Sequence, residues 1–363
     1  MNEGKLKTAV LGLNDNGWLL LKAVSQIDYF QIAAVADKDT AIAESLAAEY
    51  KCAAYDDYRQ LIIQNQLDCL LVAAGIHSCD EHIRTAMKKK INVLKLAPAA
   101  RNFEEAAEFV RLAEDENIKF AVANVNRFAQ SFLAFRQFLQ QGRIEQTSGA
   151  PDAIKSTWEP FLITAVCNVA DQLHPPWHTD PKLAGGGVLL HNCYGIIDQI
   201  IWNFATPQQV YSLNTNTAGD RQQRLYLTED TAVVTMKFTD TSFGNLIASK
   251  AIGPTQQFLK LYCKDKILTV SNTLFSVSDH LGRVSEQAKY DDGQLGCMTK
   301  LLKNFALSIL LPDKNKLCGS GSENLKNMAV IESAYLSART GFPEQPGKIL
   351  QMACWHTGRP TNT

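Results

Sequence analysis

Apolar residues in the first third of the chain concentrate in short runs, at 7–11, 31–36, 69–73, 92–96 and 120–123, with few polar residues among them. Such runs are too short for helices and too continuous for strands with one wet face, so they predict strands buried on both sides. Between them, stretches such as 103–115 place apolar residues three and four apart, the spacing of an amphipathic helix. Strand–helix alternation of this kind predicts a doubly wound parallel sheet over residues 1–124. The pattern changes after Phe128. Residues 130–141 read as a helix, and a stretch with Pro151, Pro160, Pro175 and Pro176 follows. The glycine triplet 185–187 then opens a second helix over about 188–202. Runs of β-formers at 231–238, 243–250, 258–263 and 267–272 have no helices between them and predict a large, mostly antiparallel, open sheet. Helical stretches near 297–310 and 322–340 close the chain. The expected fold class is therefore α/β followed by α+β, with the second domain over 125–363.

Composition excludes several function classes. The chain has 363 residues, 46% hydrophobic and 20% charged, with a formal net charge of −1, so neither nucleic acid nor an acidic membrane is an expected partner. The one basic cluster, Lys88, Lys89 and Lys90, suits the C-terminal end of a helix. Nine scattered cysteines without a CxxC pair argue against a zinc ribbon and against a closed disulfide framework. Reduced thiols, a polar N-terminus without signal-peptide character and the absence of a long apolar span make a cytoplasmic protein the expectation. His174, His178, His191 and Cys193 lie close in sequence, but Pro175 and Pro176 forbid a helical pairing of the first two, and no metal is expected.

The first turn carries chemistry. It reads Gly12, Leu13, Asn14, Asp15, Asn16, Gly17, between a strand and a helix. A dinucleotide fingerprint, G-x-G-x-x-G, belongs at this place in a Rossmann domain, and its first and third glycines are present. Asp37 ends the second strand about twenty residues on, where a carboxylate can bond ribose hydroxyls and repel a 2′-phosphate. NAD is accordingly the favoured cofactor over NADP. Asn14 replaces the middle glycine and puts a side chain where the pyrophosphate approaches, which lowers the expected affinity. The expected cofactor contacts are Gly12, Leu13, Asn14, Asn16, Gly17, Asp37, Lys38, Ala73, Ala74, Lys95 and Arg127.

Further segments carry a resemblance. The glycine triplet within 183–190 with Ile197 and Asp198 downstream, the stretch from Glu229 and Asp230 through Leu246, the crossover Asn126-Arg127-Phe128, and the closing helix from Ala329 through Gly341 resemble the glucose–fructose oxidoreductase / inositol dehydrogenase (Gfo/Idh/MocA) family. The resemblance implies NAD(P)-dependent hydride transfer at a hydroxyl carbon of a sugar or cyclitol, and a homodimer or homotetramer paired through the open sheet. It also implies a proton relay: a lysine in Glu-Lys-Pro, and an Asp and a His four residues apart after the glycine triplet. This chain departs at each of these positions. Leu96-Ala97-Pro98 puts alanine at the lysine position, His191 stands at the Asp position, Gly195 stands at the His position, and Ala74-Gly75 replaces the usual Thr-Pro.

Two residues are candidate replacements. His191 titrates near neutrality and can act as a general base. Lys95 shares a strand face with Ala97 but lies two residues deeper. For His191 the alternative is a hydrogen-bonded structural histidine, and for Lys95 it is a structural pair or a snorkelling side chain. For Arg127, set beside the cofactor, the alternative is an interdomain salt bridge. Trp177, His178, His191, Asn192 and Tyr194 are the expected substrate-pocket residues. Two functions stand side by side: an oxidoreductase with an atypical relay, and a silent relative that binds nucleotide or sugar as a sensor or a regulatory or structural subunit.

Overall fold

The computed structural model describes residues 4–147, 160–169, 176–217 and 228–355. Pro151, His174 and Pro175 lie outside the described residues. The chain forms two compact units, Met1–Val125 with Gly293–Leu325 and Asn126–Asp292 with Lys326–Thr363. This division differs from the expected boundary after residue 124, because the segment 293–325 joins the first unit.

In the first unit, strands β1 (Leu6–Leu11), β2 (Phe30–Ala36), β3 (Ala53–Tyr55), β4 (Cys69–Val72), β5 (Asn92–Leu96) and β6 (Phe120–Ala123) form one parallel sheet. Its order is β3-β2-β1-β4-β5-β6, the doubly wound order of dinucleotide domains. Helices α1 (Asp15–Val24), α2 (Thr40–Tyr50), α3 (Tyr58–Gln64), α4 (Asp80–Lys88) and α5 (Phe103–Asp115) connect the strands. Asn14, Asp39, Asp57 and Asn102 start α1, α2, α3 and α5, each side chain accepting from backbone N–H groups two or three residues on. These caps satisfy donors that a helix start otherwise leaves open. Strand β3 was not expected: it has three residues at the sheet edge, exposed or half-buried, too few to show a strand period.

The second unit holds α6 (Gln130–Thr147), β7 (Leu162–Asn168), α7 (Pro181–Ala184), α8 (Val188–His191), α9 (Tyr194–Asn203) and β8 (Gln209–Thr215). Strands β9 (Thr231–Lys237), β10 (Phe243–Ser249), β11 (Gln256–Tyr262), β12 (Lys266–Ser271), β13 (Leu274–Asp279) and β14 (Val284–Lys289) follow. They form an eight-stranded sheet ordered β14-β13-β12-β11-β7-β10-β9-β8. All pairings are antiparallel except β7 with β10. Burial alternates along β8, β9 and β10, so one face is covered by helices and the other is open. Helix α10 (Gly293–Leu310) packs on α1 in the first unit, and α11 (Gly321–Thr340) and α12 (Pro346–Trp355) end the described chain.

One expected helix is two. The stretch 188–202 breaks at Asn192 and Cys193, where both N–H groups point to the single Val188 carbonyl. The last turn of α8 widens there, and α9 starts afresh at Tyr194. Among the described residues no helix is long and apolar enough to cross a membrane.

Candidate active site

In the first unit the candidate residues gather at the turn between β1 and α1. Gly12 has φ +82°, a conformation that side chains rarely adopt, and a Cβ there would overlap the backbone of Ala74. A Cβ on Gly17 would overlap the Gly12 carbonyl oxygen, so the helix start is pressed against the turn. The glycine cradle therefore fits a dinucleotide, whose pyrophosphate needs close backbone approach. Asp37, half-buried at the end of β2, accepts from the backbone N–H of Leu13 at 2.6 Å and of Asp39 at 3.0 Å. These bonds aim its carboxylate at the turn and leave lone pairs for ribose hydroxyls. Lys38 beside it is exposed, and Ala73 and Ala74 follow β4 against Gly12.

Asn14 takes a different part from the glycine it replaces. Its Oδ1 accepts from the N–H groups of Asn16 and Gly17, both at 3.1 Å, and its Nδ2 donates to the Ala73 carbonyl at 3.2 Å. Its backbone, with φ −61° and ψ −177°, is open to any residue.

Lys95 lies in β5 with 3% exposure. Its ammonium donates to the carbonyls of Leu96 at 3.2 Å and Pro98 at 2.5 Å, so it closes the turn that follows the strand. Burial pulls its pKa down, opposed by Cys79 and Glu105. Ala97, at the family's lysine position, is half-buried.

The second unit holds a separate cluster of candidate residues. Trp177 and His178 sit on a single 3-10 turn, Pro176–Thr179, and His191 ends α8. The ring centroids of His178 and His191 are 4.6 Å apart, those of Trp177 and His178 3.9 Å, and those of Trp177 and His191 5.9 Å. The structure thus brings three of the five pocket residues into one aromatic cluster. Asn192 is half-buried and its carbonyl accepts from the Cys167 thiol, whereas Tyr194 is 1% exposed and belongs to the core of its unit. His191 Nε2 lies 3.0 Å from the Ala184 carbonyl. A carbonyl only accepts, so Nε2 carries the hydrogen and Nδ1 is the basic nitrogen of the neutral ring.

Arg127 forms a two-pronged ion pair with Asp198, Nε to Oδ2 at 2.8 Å and Nη2 to Oδ1 at 2.7 Å. Both side chains are buried, at 3% and 0% exposure, and the guanidinium stands over the Trp202 ring at 5.0 Å. Both partners belong to the second unit, so this pair is not the interdomain bridge considered for Arg127.

Other residues shape the site without having been assigned a role from sequence. Glu229 is buried and accepts from Gly187 N–H at 2.8 Å, Leu189 N–H at 3.0 Å and the Tyr335 hydroxyl at 2.9 Å. It therefore caps α8, the helix that ends in His191. Burial raises its pKa, and these three donors oppose the rise. A Cβ on Gly187 would overlap the Glu229 carbonyl oxygen, which gives the triplet its reason. Thr228 donates its hydroxyl to the His178 carbonyl at 2.7 Å, so neighbouring residues hold both aromatic elements. In the first unit, His77 follows Ala74 and Gly75. Burial lowers its pKa, reinforced by the charges of Lys38 and Arg101. The resemblance had marked Glu229 and Tyr335 as motif positions, but nothing in the spacing pairs them.

Among the described residues no group of three or more His, Cys, Asp or Glu is placed to hold a metal ion. A cavity of about 560 Å³ is lined by Val110, Lys119, Phe120 and Lys316. It lies at the N-terminal end of β6, while the Gly12 turn lies at the C-terminal ends of the strands, and it includes none of the candidate residues.

Residues 6–124 match the oxidoreductase family with an NAD-binding Rossmann fold, and residues 134–269 match the GFO/IDH/MocA C-terminal domain. The chain belongs to the Gfo/Idh/MocA oxidoreductase family. A curated relative, D-xylose 1-dehydrogenase (NADP(+)) 2 of Haloferax volcanii, is 26% identical over 217 residues, covering 59% of this chain and 60% of that protein's length. An oxidoreductase from Agrobacterium radiobacter in complex with NAD+, L-tartaric acid and magnesium superposes with a TM-score of 0.78 at 16% identity, covering 95% of this chain and 100% of the other. The WlbA dehydrogenase of Bordetella pertussis, in complex with NADH and UDP-GlcNAcA, gives 0.76 at 15% identity, covering 94% and 99%. At these identities the superpositions establish the shared fold.

Proposed function

We propose that the protein is an NAD-dependent dehydrogenase acting on a hydroxyl carbon of a sugar or cyclitol, with His191 as the general base. The observation that carries this reading is the His191–His178–Trp177 cluster, in which His191 has the sequence position that the resemblance gives to the relay aspartate. A hydroxyl carbon gives up hydride as its proton leaves, so a base must reach that proton. His191 Nδ1 takes the proton, and the Nε2–H bond to the Ala184 carbonyl strengthens as the ring becomes cationic. Trp177 offers an apolar ring face to the substrate's carbon skeleton. The bound nicotinamide supplies the hydride acceptor. Gly12, Leu13, Asn16, Gly17, Ala73 and Ala74 hold the dinucleotide, and Asp37 favours the unphosphorylated ribose of NAD. Lys95 positions the Ala97-Pro98 turn through its two carbonyl bonds and leaves proton transfer to His191.

The protein is further proposed to pair with a second copy through the open sheet face. Leu213, Val233 and Ile247 are exposed and stand in register on β8, β9 and β10, with half-buried Val166 next on β7. A contiguous apolar row of this kind marks an interface.

The test begins with calorimetric titration by NADH and NADPH, followed by a panel of sugars and cyclitols with NAD. Tighter binding of NADH and turnover of a polyol substrate are expected. Failure of both cofactors to bind at millimolar concentration would remove the dehydrogenase reading and favour the regulatory alternative.

A further inference from the structure

The proposed cofactor site contains a group that competes with the cofactor. At the start of α1 the backbone N–H groups are the natural partners of a pyrophosphate, because they are not used within the helix and the helix dipole favours negative charge there. The Asn14 carboxamide oxygen already accepts from two of them, Asn16 and Gly17, both at 3.1 Å. The carboxamide nitrogen is tied to the Ala73 carbonyl at 3.2 Å, so the group bridges α1 and the end of β4 across the turn. Its oxygen takes up donors that a phosphate oxygen would use. The turn beneath it has the shape of a binding turn: Gly12 and Gly17 are in close contact, and Asp37 is bonded to Leu13. The Asn14 backbone is in an extended conformation that any residue adopts, so the side chain alone distinguishes this turn from one with glycine. Asn14 is exposed and is free to rotate outward without disturbing the core.

We infer that Asn14 is a built-in competitor for the pyrophosphate, which closes the dinucleotide turn in the free protein and must swing aside for the cofactor to bind. The inference rests on the dinucleotide reading and adds what sets the affinity. It predicts an inverse relation between the stability of the free protein and its affinity for cofactor. A merely structural cap predicts no such relation.

The experiment compares wild type, Asn14→Gly and Asn14→Asp. Binding of NADH and of inorganic pyrophosphate is measured by calorimetry and by the fluorescence of exposed Trp18 on the first turn of α1, and thermal unfolding is measured without ligand. Asn14→Gly removes the competitor and should bind NADH at least about tenfold tighter, since two hydrogen bonds no longer have to be exchanged. Its thermal midpoint should fall only slightly, because glycine is a tolerable N-cap. Asn14→Asp keeps the cap and adds charge. Its thermal midpoint should stay near that of the wild type, because the stronger charged cap offsets the lost donation to the Ala73 carbonyl, while NADH and pyrophosphate binding weakens at least about tenfold. Binding by Asn14→Gly where wild type shows none supports the inference and removes the dehydrogenase reading for the wild type. Wild-type binding equal to or tighter than that of Asn14→Gly overturns the inference and leaves the dinucleotide reading intact. No binding of either probe to wild type or Asn14→Gly, both folded, overturns the two together.

Discussion

Asp198 is fully buried and accepts two bonds from Arg127 and a third, at 2.8 Å, from Asn327. Removing its charge leaves a buried guanidinium without its counter-charge, so Asp198→Asn should cost about 3–5 kcal/mol in urea unfolding. Replacing both partners, Arg127→Met with Asp198→Leu, should recover most of that loss. Glu229 makes a prediction about pH. Its pKa is raised by burial, so the folded state keeps a proton in a window just above the ordinary glutamate range, where the unfolded chain has released it. Stability should rise as pH falls through that window, and Glu229→Gln, which binds no proton there, should lack the rise. Urea unfolding across pH should therefore show the wild type gaining on the variant at the acid end. A flat difference would remove the assignment of Glu229 as a group strained by its charge. At this scale the sequence is legible where a residue acts alone. Asn14 at the fingerprint position and His191 at the relay position are visible by place. The Glu229–Tyr335 cap joins residues more than a hundred positions apart, and no local pattern pairs them.

At the level of elements, the glycine turn sets how closely α1 approaches β1. A methyl group on Gly17 would overlap the Gly12 carbonyl oxygen, so Gly17→Ala should push α1 away from β1. The expected cost is about 1–3 kcal/mol by chemical denaturation, with any dinucleotide binding abolished. An alanine variant that is fully stable would contradict the close contact of turn and helix. Elements were legible in proportion to their apolar signal. Helix α5 and strand β5 fall on their expected residues, and β9 and β10 lie within one residue of theirs. Strand β14 is largely exposed and polar, and β3 is three residues long, so neither has a hydrophobic period to read. The break between α8 and α9 rests on a shared carbonyl acceptor, a backbone event without a proline or glycine at the break itself.

Across the whole molecule, the chain returns after residue 292 to complete the first unit, which a boundary drawn from the first change of pattern could not anticipate. The apolar row Leu213–Val233–Ile247 makes the corresponding prediction about assembly. Sedimentation of the wild type should show a dimer or tetramer, and Val233→Lys with Ile247→Lys should shift it to monomer without unfolding it. A wild type that sediments as a monomer would remove the pairing face. The proposed activity is hydride transfer through His191 on a family scaffold that has Ala97, His191 and Gly195 at the usual relay positions. The most direct test is steady-state turnover of the best substrate from a sugar and cyclitol panel, with wild type compared against His191→Ala and His191→Asn. NADH formation by the wild type is expected, with a loss of about a hundredfold or more in kcat and cofactor binding retained in both variants. Unchanged kcat in His191→Ala, or no turnover by a wild type that binds NAD, would contradict it.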